Sequence, residues 1–355
     1  MPYDLDSGIV NALAAALLFG ASIPFAKLLS GEMDPAWLAG LLYLGSGTAL
    51  AGYYVIRRLS SGATSGREAR IVRADLPVLA GAILAGGIVA PLLFVTGLHS
   101  TSGASTALLL NFENVFTALL AWFVFREHVD RRIAMGMAAI VAAGALLAWP
   151  APGAARDDAW GALAVVGACL GWAIDNNLTA RISGRDPLQI GAIKSLVAGC
   201  VNVGVGLFHN AATPPYPGIA GALAVGAAGY GLSILLYVLA LRRIGAARTG
   251  AYFALAPFVG AGAAILLLRE HPAVLFWPAT ALMALGVWLH LNERHEHHHQ
   301  HESLTHDHSH RHDEHHQHVH DFPWDGHEPH THRHDHPPMS HSHRHYPDIH
   351  HRHRH

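Results

Sequence analysis

From residue 8 to about residue 291 the chain is a succession of apolar runs, each near 20 residues long, joined by short polar connections. No other feature restricts the fold as much. A bilayer's hydrocarbon core is spanned by about 20 apolar residues of helix at roughly 1.5 Å rise each. Within lipid the backbone must satisfy its own hydrogen bonds, which such a run does as a helix. The predicted spans are 8–30, 35–56, 76–98, 103–125, 131–149, 159–181, 187–208, 217–241, 247–268 and 273–291. Buried helices of a large soluble protein would carry polar stripes at helical period, and these runs show almost none. Charged residues are 14% of the chain, against roughly 25% in soluble domains. The fold class is therefore all-α integral membrane, with ten transmembrane helices.

No Lys or Arg precedes the first apolar run, so it lacks the basic region of a signal peptide and reads as an uncleaved helix. Cys169 and Cys200 each lie inside an apolar run and read as small buried hydrophobes. No CxxC motif or disulfide framework is present. Direction follows from the basic residues of the short loops. The even-numbered connections hold thirteen arginines, among them Arg57, Arg58, Arg185 and Arg242, and the odd-numbered ones hold Arg156 and Arg269. That bias puts both termini in the cytoplasm of a bacterial-type inner membrane.

The second half of the chain echoes the first. GASIPFAKLLS at 20–30 is similar to GWAIDNNLTARIS at 171–183, and Asp34-Pro35 opens the second span as Asp186-Pro187 opens the seventh. LLFVTGLHSTSGAST at 92–106 lines up with LLYVLALRRIGAART at 235–249, and FREH at 125–128 with LREH at 268–271 at the same offset. Five spans is an odd number, so the second copy enters the membrane from the opposite side. Inverted repeats of this kind are used by many secondary transporters, with the solute site near the midplane between the halves. The organisation is a repeat at 8–149, a second at 158–291, and a tail at 292–355.

On these residues the chain resembles the drug/metabolite transporter superfamily, and specifically its EamA-type repeat. The residues are Phe19, Gly20, Pro24 and Lys27 in the first span, LLLNFENVFTALLAWFVFREH ending at 128, and ALAPFVGAGAAILLLREH at 254–271. The resemblance covers roughly 8–291 and implies ten spans and proton- or gradient-driven movement of small solutes. It leaves the solute open. One departure stands out: the proline expected in both copies is present as Pro257 but is Asn114 in the first, beside Glu113.

Ionisable groups at membrane depth are costly, by roughly 2.5–3.5 kcal/mol each on insertion scales, and so carry functional hypotheses. Four qualify: Lys27, Glu113, Asp175 and Lys194. Glu113, flanked by Asn111 and Asn114, is the deepest carboxylate and a candidate carrier of a coupling proton or ligand of a cation. A structural hydrogen bond to a neighbouring helix is the alternative. Asp175 and Lys194 fall at similar depth on oppositely directed spans and are predicted to pair, as a gate or as a fixed bridge. Asn176 and Asn177 follow Asp175, and at 100° per residue at least one of the three must contact another helix. Lys27, near the outer end of its span, could snorkel to the interface or face the pocket. Pro24, Pro91 and Pro257 each remove a backbone donor within a span, as a cavity-lining break or as a plain kink. His99 and His209 lie at outer span ends, where a metal path is one reading and interfacial histidine the other.

Between His295 and the C-terminus lie 25 of the chain's 30 histidines, interleaved with Asp, Glu, Ser, Arg and Pro. With no apolar face, this segment is expected to be disordered. Imidazole is a good ligand for nickel, cobalt, zinc and copper. The candidate metal ligands are His295, His297, His298, His299, His301, His306, His308, His310, His312, His315, His316, His318 and His320.

The resulting expectation is an inner-membrane exporter of a divalent transition metal, nickel or cobalt first, fed by a cytoplasmic histidine tail. One alternative is export of an amino acid or other small metabolite, with the tail as a metal buffer. Another is a membrane-anchored metal store or sensor. No nucleophile–base pair or phosphate loop suggests an enzyme, and no cofactor is required beyond divalent ions on the tail. The expected partners are the bilayer and a small solute or metal ion, without nucleic acid; a homodimer is left open.

Overall fold

Each Asp-Pro pair starts a helix, and for the same reason. Asp34 accepts the Ala36 amide at 2.8 Å and Asp186 accepts the Leu188 amide at 2.9 Å, with proline next to each. A side-chain acceptor on an otherwise orphaned amide, followed by a residue lacking N–H, is a strong helix start. In the computed structural model, which describes residues 2–60, 69–125, 131–147, 149, 157–182, 185–291, 295–300, 304–310, 330–336 and 340–345, the membrane part is all helical.

The first half holds α1 (Pro2–Ser30), α2 (Pro35–Ser60), α3 (Leu76–Ala82), α4 (Ala90–Ser100), α5 (Gly103–Leu109), α6 (Phe112–Phe125) and α7 (Arg131–Leu147). The second holds α8 (Asp157–Ala180), α9 (Pro187–Phe208), α10 (Tyr216–Val225), α11 (Ser233–Phe253), α12 (Ala256–Leu268) and α13 (Phe276–Leu291). Two π-helical segments, Ile83–Val89 and Gly226–Leu232, join α3 to α4 and α10 to α11. They occupy matching places in the two halves. Among the described residues, six helices are long and apolar enough to cross a bilayer, with three shorter apolar ones at Ala134–Leu147, Ala256–Leu268 and Phe276–Leu289. The fourth span is divided between α5 and α6.

The expected connection at 242–246 does not interrupt α11, which is assigned as one helix from Ser233 to Phe253. The chain nonetheless doubles back within it. The rings of Tyr237 and Phe253 lie 5.0 Å apart, where sixteen residues of straight helix would separate them by about 24 Å. The reversal is tight, with Gly245 and no proline between its two arms.

Helices pack mainly across the halves. α2 lies against α9, α7 against α13 and α5 against α12, while α1 packs on α11 and α12 as α8 packs on α4 and α6. Exchanging the halves maps all of these contacts except that of α5 with α12 onto one another. Close crossing of α2 and α9 needs glycine: a Cβ on Gly40 would press on the Val203 backbone, and one on Gly199 on that of Leu44. In lipid, where apolar surface is no driving force between helices, such backbone contact is what holds them. Large apolar residues such as Leu38, Leu98, Leu108, Ile140 and Met283 fill the interior. Trp149, Trp160, Trp277, Phe208 and Tyr216 stand more than half exposed on the outer surface. That pattern suits lipid contact and an interfacial aromatic belt.

Two of the connections that the arginine bias groups together meet. Arg185 pairs with Asp75 at 2.8 Å, Arg57 with Asp186 at 3.7 Å, and the Asp186 amide donates to the Ala69 carbonyl. At the opposite end Lys27 donates to the carbonyls of Leu98 and His99, and Glu270 accepts the amides of Gly103 and Ala104 at 2.7 and 2.9 Å.

Beyond residue 291 the described residues are those of the tail. Four strands, β1 (His295–Gln300), β2 (Leu304–His310), β3 (His330–His336) and β4 (Ser340–His345), form two antiparallel ladders, β1 with β4 and β2 with β3. A chain that has no apolar face to bury still satisfies its backbone groups by pairing them. His301, His312, His315, His316, His318 and His320 lie outside the described residues.

Candidate functional site

The fourth and ninth spans break at matching points, and the seam between the halves runs past both breaks. In the ninth, α11 ends at Phe253, a turn covers Ala254 and Leu255, and α12 restarts with Pro257 in its first turn. Proline has no N–H to return to the preceding turn and suits a helix start. In the fourth, α5 ends at Leu109, a turn covers Leu110 and Asn111, and α6 restarts at Phe112. No proline makes this break. Instead the Asn111 side chain donates to the Leu108 carbonyl at 3.0 Å, and the buried Cys169 thiol donates to the Leu109 carbonyl at 3.5 Å. Asn111 Oδ1 is buried with no partner among the described residues.

Restarting α6 at Phe112 places Glu113 in its first turn, where unpaired amides and the helix dipole favour negative charge. Glu113 is half-buried, and its Oε1 accepts the Asn176 side-chain amide from α8 at 2.6 Å. One residue before Asn176, buried Asp175 faces the other way. It accepts Lys194 Nζ from α9, and Thr179 donates to the same oxygen at 2.9 Å. Thr179 also accepts from Lys194 at 3.1 Å. The predicted pair therefore forms, and the prediction that the three polar neighbours must diverge holds. Asn177 turns back to its own helix, donating to the Ala173 carbonyl at 2.8 Å.

The π-helical segment Ile83–Val89 completes this region. Its Gly86 carbonyl accepts Tyr43 Oη from α2 at 2.8 Å and Trp172 Nε1 from α8 at 3.1 Å. The Gly87 carbonyl accepts the Asn202 side chain from α9 at 2.9 Å. Wider π turns are frequent at functional sites. Glycine is required at 86, since a Cβ there would overlap the Asp175 carboxylate.

Not every predicted site residue joins the cluster. Lys27 caps the last carbonyls of α4, and the His99 ring is engaged with the Ser30 carbonyl at 2.8 Å. Both tie α1 to α4 at the end of the bundle. Pro24 and Pro257 are buried helix residues, and Asn114 is accessible beside Glu113. Among the described residues no group of three His, Cys, Asp or Glu side chains is arranged to hold a metal ion.

Sequence reasoning missed the aromatic side chains. The rings of Phe94 and Trp172 (5.4 Å), Tyr43 and Tyr230 (6.3 Å), Tyr230 and Phe19 (5.7 Å), and Phe19 and Phe253 (5.7 Å) are neighbours. The Trp172 indole donates to Tyr43 Oη at 3.3 Å, which closes them into one row. The row crosses from one half to the other. Only the internal alignment, which sets these helices beside one another, could have hinted at it.

The chain is similar to an uncharacterized transporter of Methanothermobacter thermautotrophicus (strain Delta H), at 30% identity over 79% of this chain and 85% of that protein. Its backbone is similar to that of a solved crystal structure with a TM-score of 0.57, at 17% identity over 80% of this chain and 95% of the other. That second likeness concerns the fold alone. The EamA-like transporter family matches twice, over residues 6–149 and 159–292, one match for each half of the bundle. The chain belongs to the EamA-like transporter family, as a membrane transporter built from two copies of its repeat.

Proposed function

We propose that the protein is a secondary exporter that moves one small solute at a time along the seam between its halves, by alternating access. The observation that carries this reading is the pair of matching broken spans, with a single carboxylate, Glu113, at the restart of one of them. Discontinuous helices at a repeat interface are where transporters hold solute and coupling ions. Glu113 alternates between a proton and the solute's charge or polar group. Asp175 and Lys194 neutralise each other and brace α8 against α9 through the cycle. The bias of arginines supports a cell-membrane protein with both ends in the cytoplasm.

The test is flux in proteoliposomes under an imposed proton gradient, scored as solute-dependent proton movement against a panel of amines, amino acids and divalent metals. Glu113→Gln should abolish it while circular dichroism and chromatographic elution stay unchanged. Wild-type flux in that variant removes Glu113 from the mechanism.

A second reading concerns the tail. Histidine faces histidine along both ladders, as His295 with His345, His297 with His343, His299 with His341, His306 with His334 and His308 with His332. This supports metal binding by the tail, either to feed nickel or cobalt to the transporter or to buffer it. Truncation after Glu293 separates the two. Cellular nickel accumulation that rises on truncation and again on Glu113→Gln favours metal as cargo. Accumulation indifferent to Glu113 favours a buffer.

A further inference from the structure

We propose that the rim of the bundle where α2 ends and α3 and α9 begin is a built site for an anionic phospholipid. Arg58, Arg70 and Arg73 hold its phosphodiester, and its acyl chains lie on the apolar side chains beside them. The site is separate from the solute path and stands whatever crosses the seam. Three observations converge on it.

The first is charge left over. The carboxylates of this corner are already matched, Asp75 by Arg185 at 2.8 Å and Asp186 by Arg57 at 3.7 Å. Arg58, Arg70 and Arg73 are exposed and carry no ion pair among the described residues. The matched pairs gather them. Arg58 follows Arg57 at the end of α2, Arg70 follows Ala69, whose carbonyl accepts the Asp186 amide at 3.0 Å, and Arg73 lies two residues before Asp75. Like charges held in one corner repel one another, and an anion among them relieves that repulsion. At the opposite rim the balance is reversed, with Glu32, Asp34 and Glu270 against Lys27 and Arg269.

The second is a fixed base. Segment 69–75 contains a single 3-10 turn, Arg73–Asp75, yet its backbone is tied along its length. The Ile71 amide donates to Gln189 Oε1 at 3.3 Å and the Val72 amide to Asp75 Oδ2 at 2.9 Å. Ile71 packs inward against Leu79, Ile182 and Ile190, which leaves its neighbours Arg70 and Val72 exposed. The arginines thus stand on a backbone set before any ligand arrives, which lowers the ordering cost of binding.

The third is the company they keep. Ile56, Leu59 and Leu76 are each more than half exposed, and Val72 is 44% exposed. An arginine whose stem follows apolar surface while its head reaches charged groups suits the boundary between acyl chains and headgroups. The guanidinium offers paired donors that match a phosphate. A free inorganic anion would use the arginines and leave the apolar side chains idle, so the lipid is the occupant that accounts for both.

The experiment is native mass spectrometry of the full-length protein in detergent, titrated with phosphatidylglycerol or with phosphatidylcholine. An arginine beside an anionic surface contributes about fivefold in affinity. One phosphatidylglycerol per chain should therefore be retained at least tenfold more tightly than phosphatidylcholine. Changing Arg58, Arg70 and Arg73 together to Gln should remove that preference. The same three changed to Lys should keep it within about fivefold of wild type, because the charge stays while the paired donors go. Arg269→Gln, at the opposite rim, should leave it unchanged. Since none of the three side chains pairs within the fold, circular dichroism and elution of the Gln variant should match wild type. Equal retention of the two lipids, or an undiminished preference in the Gln variant, overturns the proposal. So does displacement of phosphatidylglycerol by millimolar inorganic phosphate, which would make the ligand a free anion.

Discussion

Pro257 breaks the ninth span covalently, whereas at the matching place in the fourth span Asn114 keeps its amide, which donates to the Asn111 carbonyl at 3.1 Å. The first break is permanent; the second is held by the Asn111 and Cys169 side chains on the carbonyls of Leu108 and Leu109. Alongside it stands Glu113, where the second half has the buried Ala256. Two halves with one ancestral shape have thus divided the work. One supplies a fixed kink, and the other a polar restart that carries a carboxylate. A repeat protein needs its symmetry for rocking, while its solute site gains from asymmetry, because a single charge is easier to match than two.

The comparison is broken or sharpened by substitutions on its two sides. The largest effect belongs to Glu113→Gln, expected to lower coupled flux in proteoliposomes by at least 100-fold. Pro257→Ala on the other side should keep more than half of it. Equal losses would erase the distinction between the halves.

Next comes the brace beside the active break. Removing one member of a buried pair leaves an uncompensated charge, at a cost of about 3–5 kcal/mol. Lys194→Met should lower stability by that order in reversible unfolding from mixed micelles. The double change Asp175→Asn with Lys194→Met should recover a good part of it. A single change costing under about 1 kcal/mol would show that the pair is not held out of water, since exposed pairs are worth that little.

A smaller effect separates the two cysteines. Cys169 is buried on the broken backbone and Cys200 is exposed. Cys169→Ala removes a donor from a buried carbonyl and should cost about 1–2 kcal/mol. Cys200→Ala should stay within about 0.5 kcal/mol. Equal values in the same unfolding assay would show that the thiol has no part in holding the fourth span open.

The smallest change is in stability at the passive break. Pro257→Ala restores a backbone donor and frees the unfolded chain, and the two oppose each other, leaving a shift of about 1 kcal/mol or less. A large stabilisation would mean that the kink is imposed by proline against the packing of α1 and α5.

Much of this was legible beforehand where the cause is local or periodic. The Asp34-Pro35 and Asp186-Pro187 starts are short-range chemistry, and the spans follow from run length. The Asp175–Lys194 pair could be foreseen because two opposite charges at one depth in lipid have few other partners. Lys27 could not be placed, since snorkelling and capping need the same long stem and differ only in which carbonyls lie within reach. The reversal within α11 was readable as the connection expected at 242–246, which holds Gly245, but not that the chain turns there without leaving the helix. Cys169 looked like a plain hydrophobe, and buried it is; that its thiol meets the Leu109 carbonyl depends on α8 lying against α5.

By itself the sequence determined the solvent of this protein, its succession of apolar helices and the twofold plan, because each rests on hydrophobicity and repetition along one dimension. Only the tertiary structure decided that Glu113 meets Asn176, that Gly86 anchors Tyr43 and Trp172, and that six aromatic rings from both halves form one row. Those contacts join residues tens to hundreds of positions apart, and no local preference sets them. They follow from how helices with glycine-lined faces slide together until backbone, charge and ring all find partners.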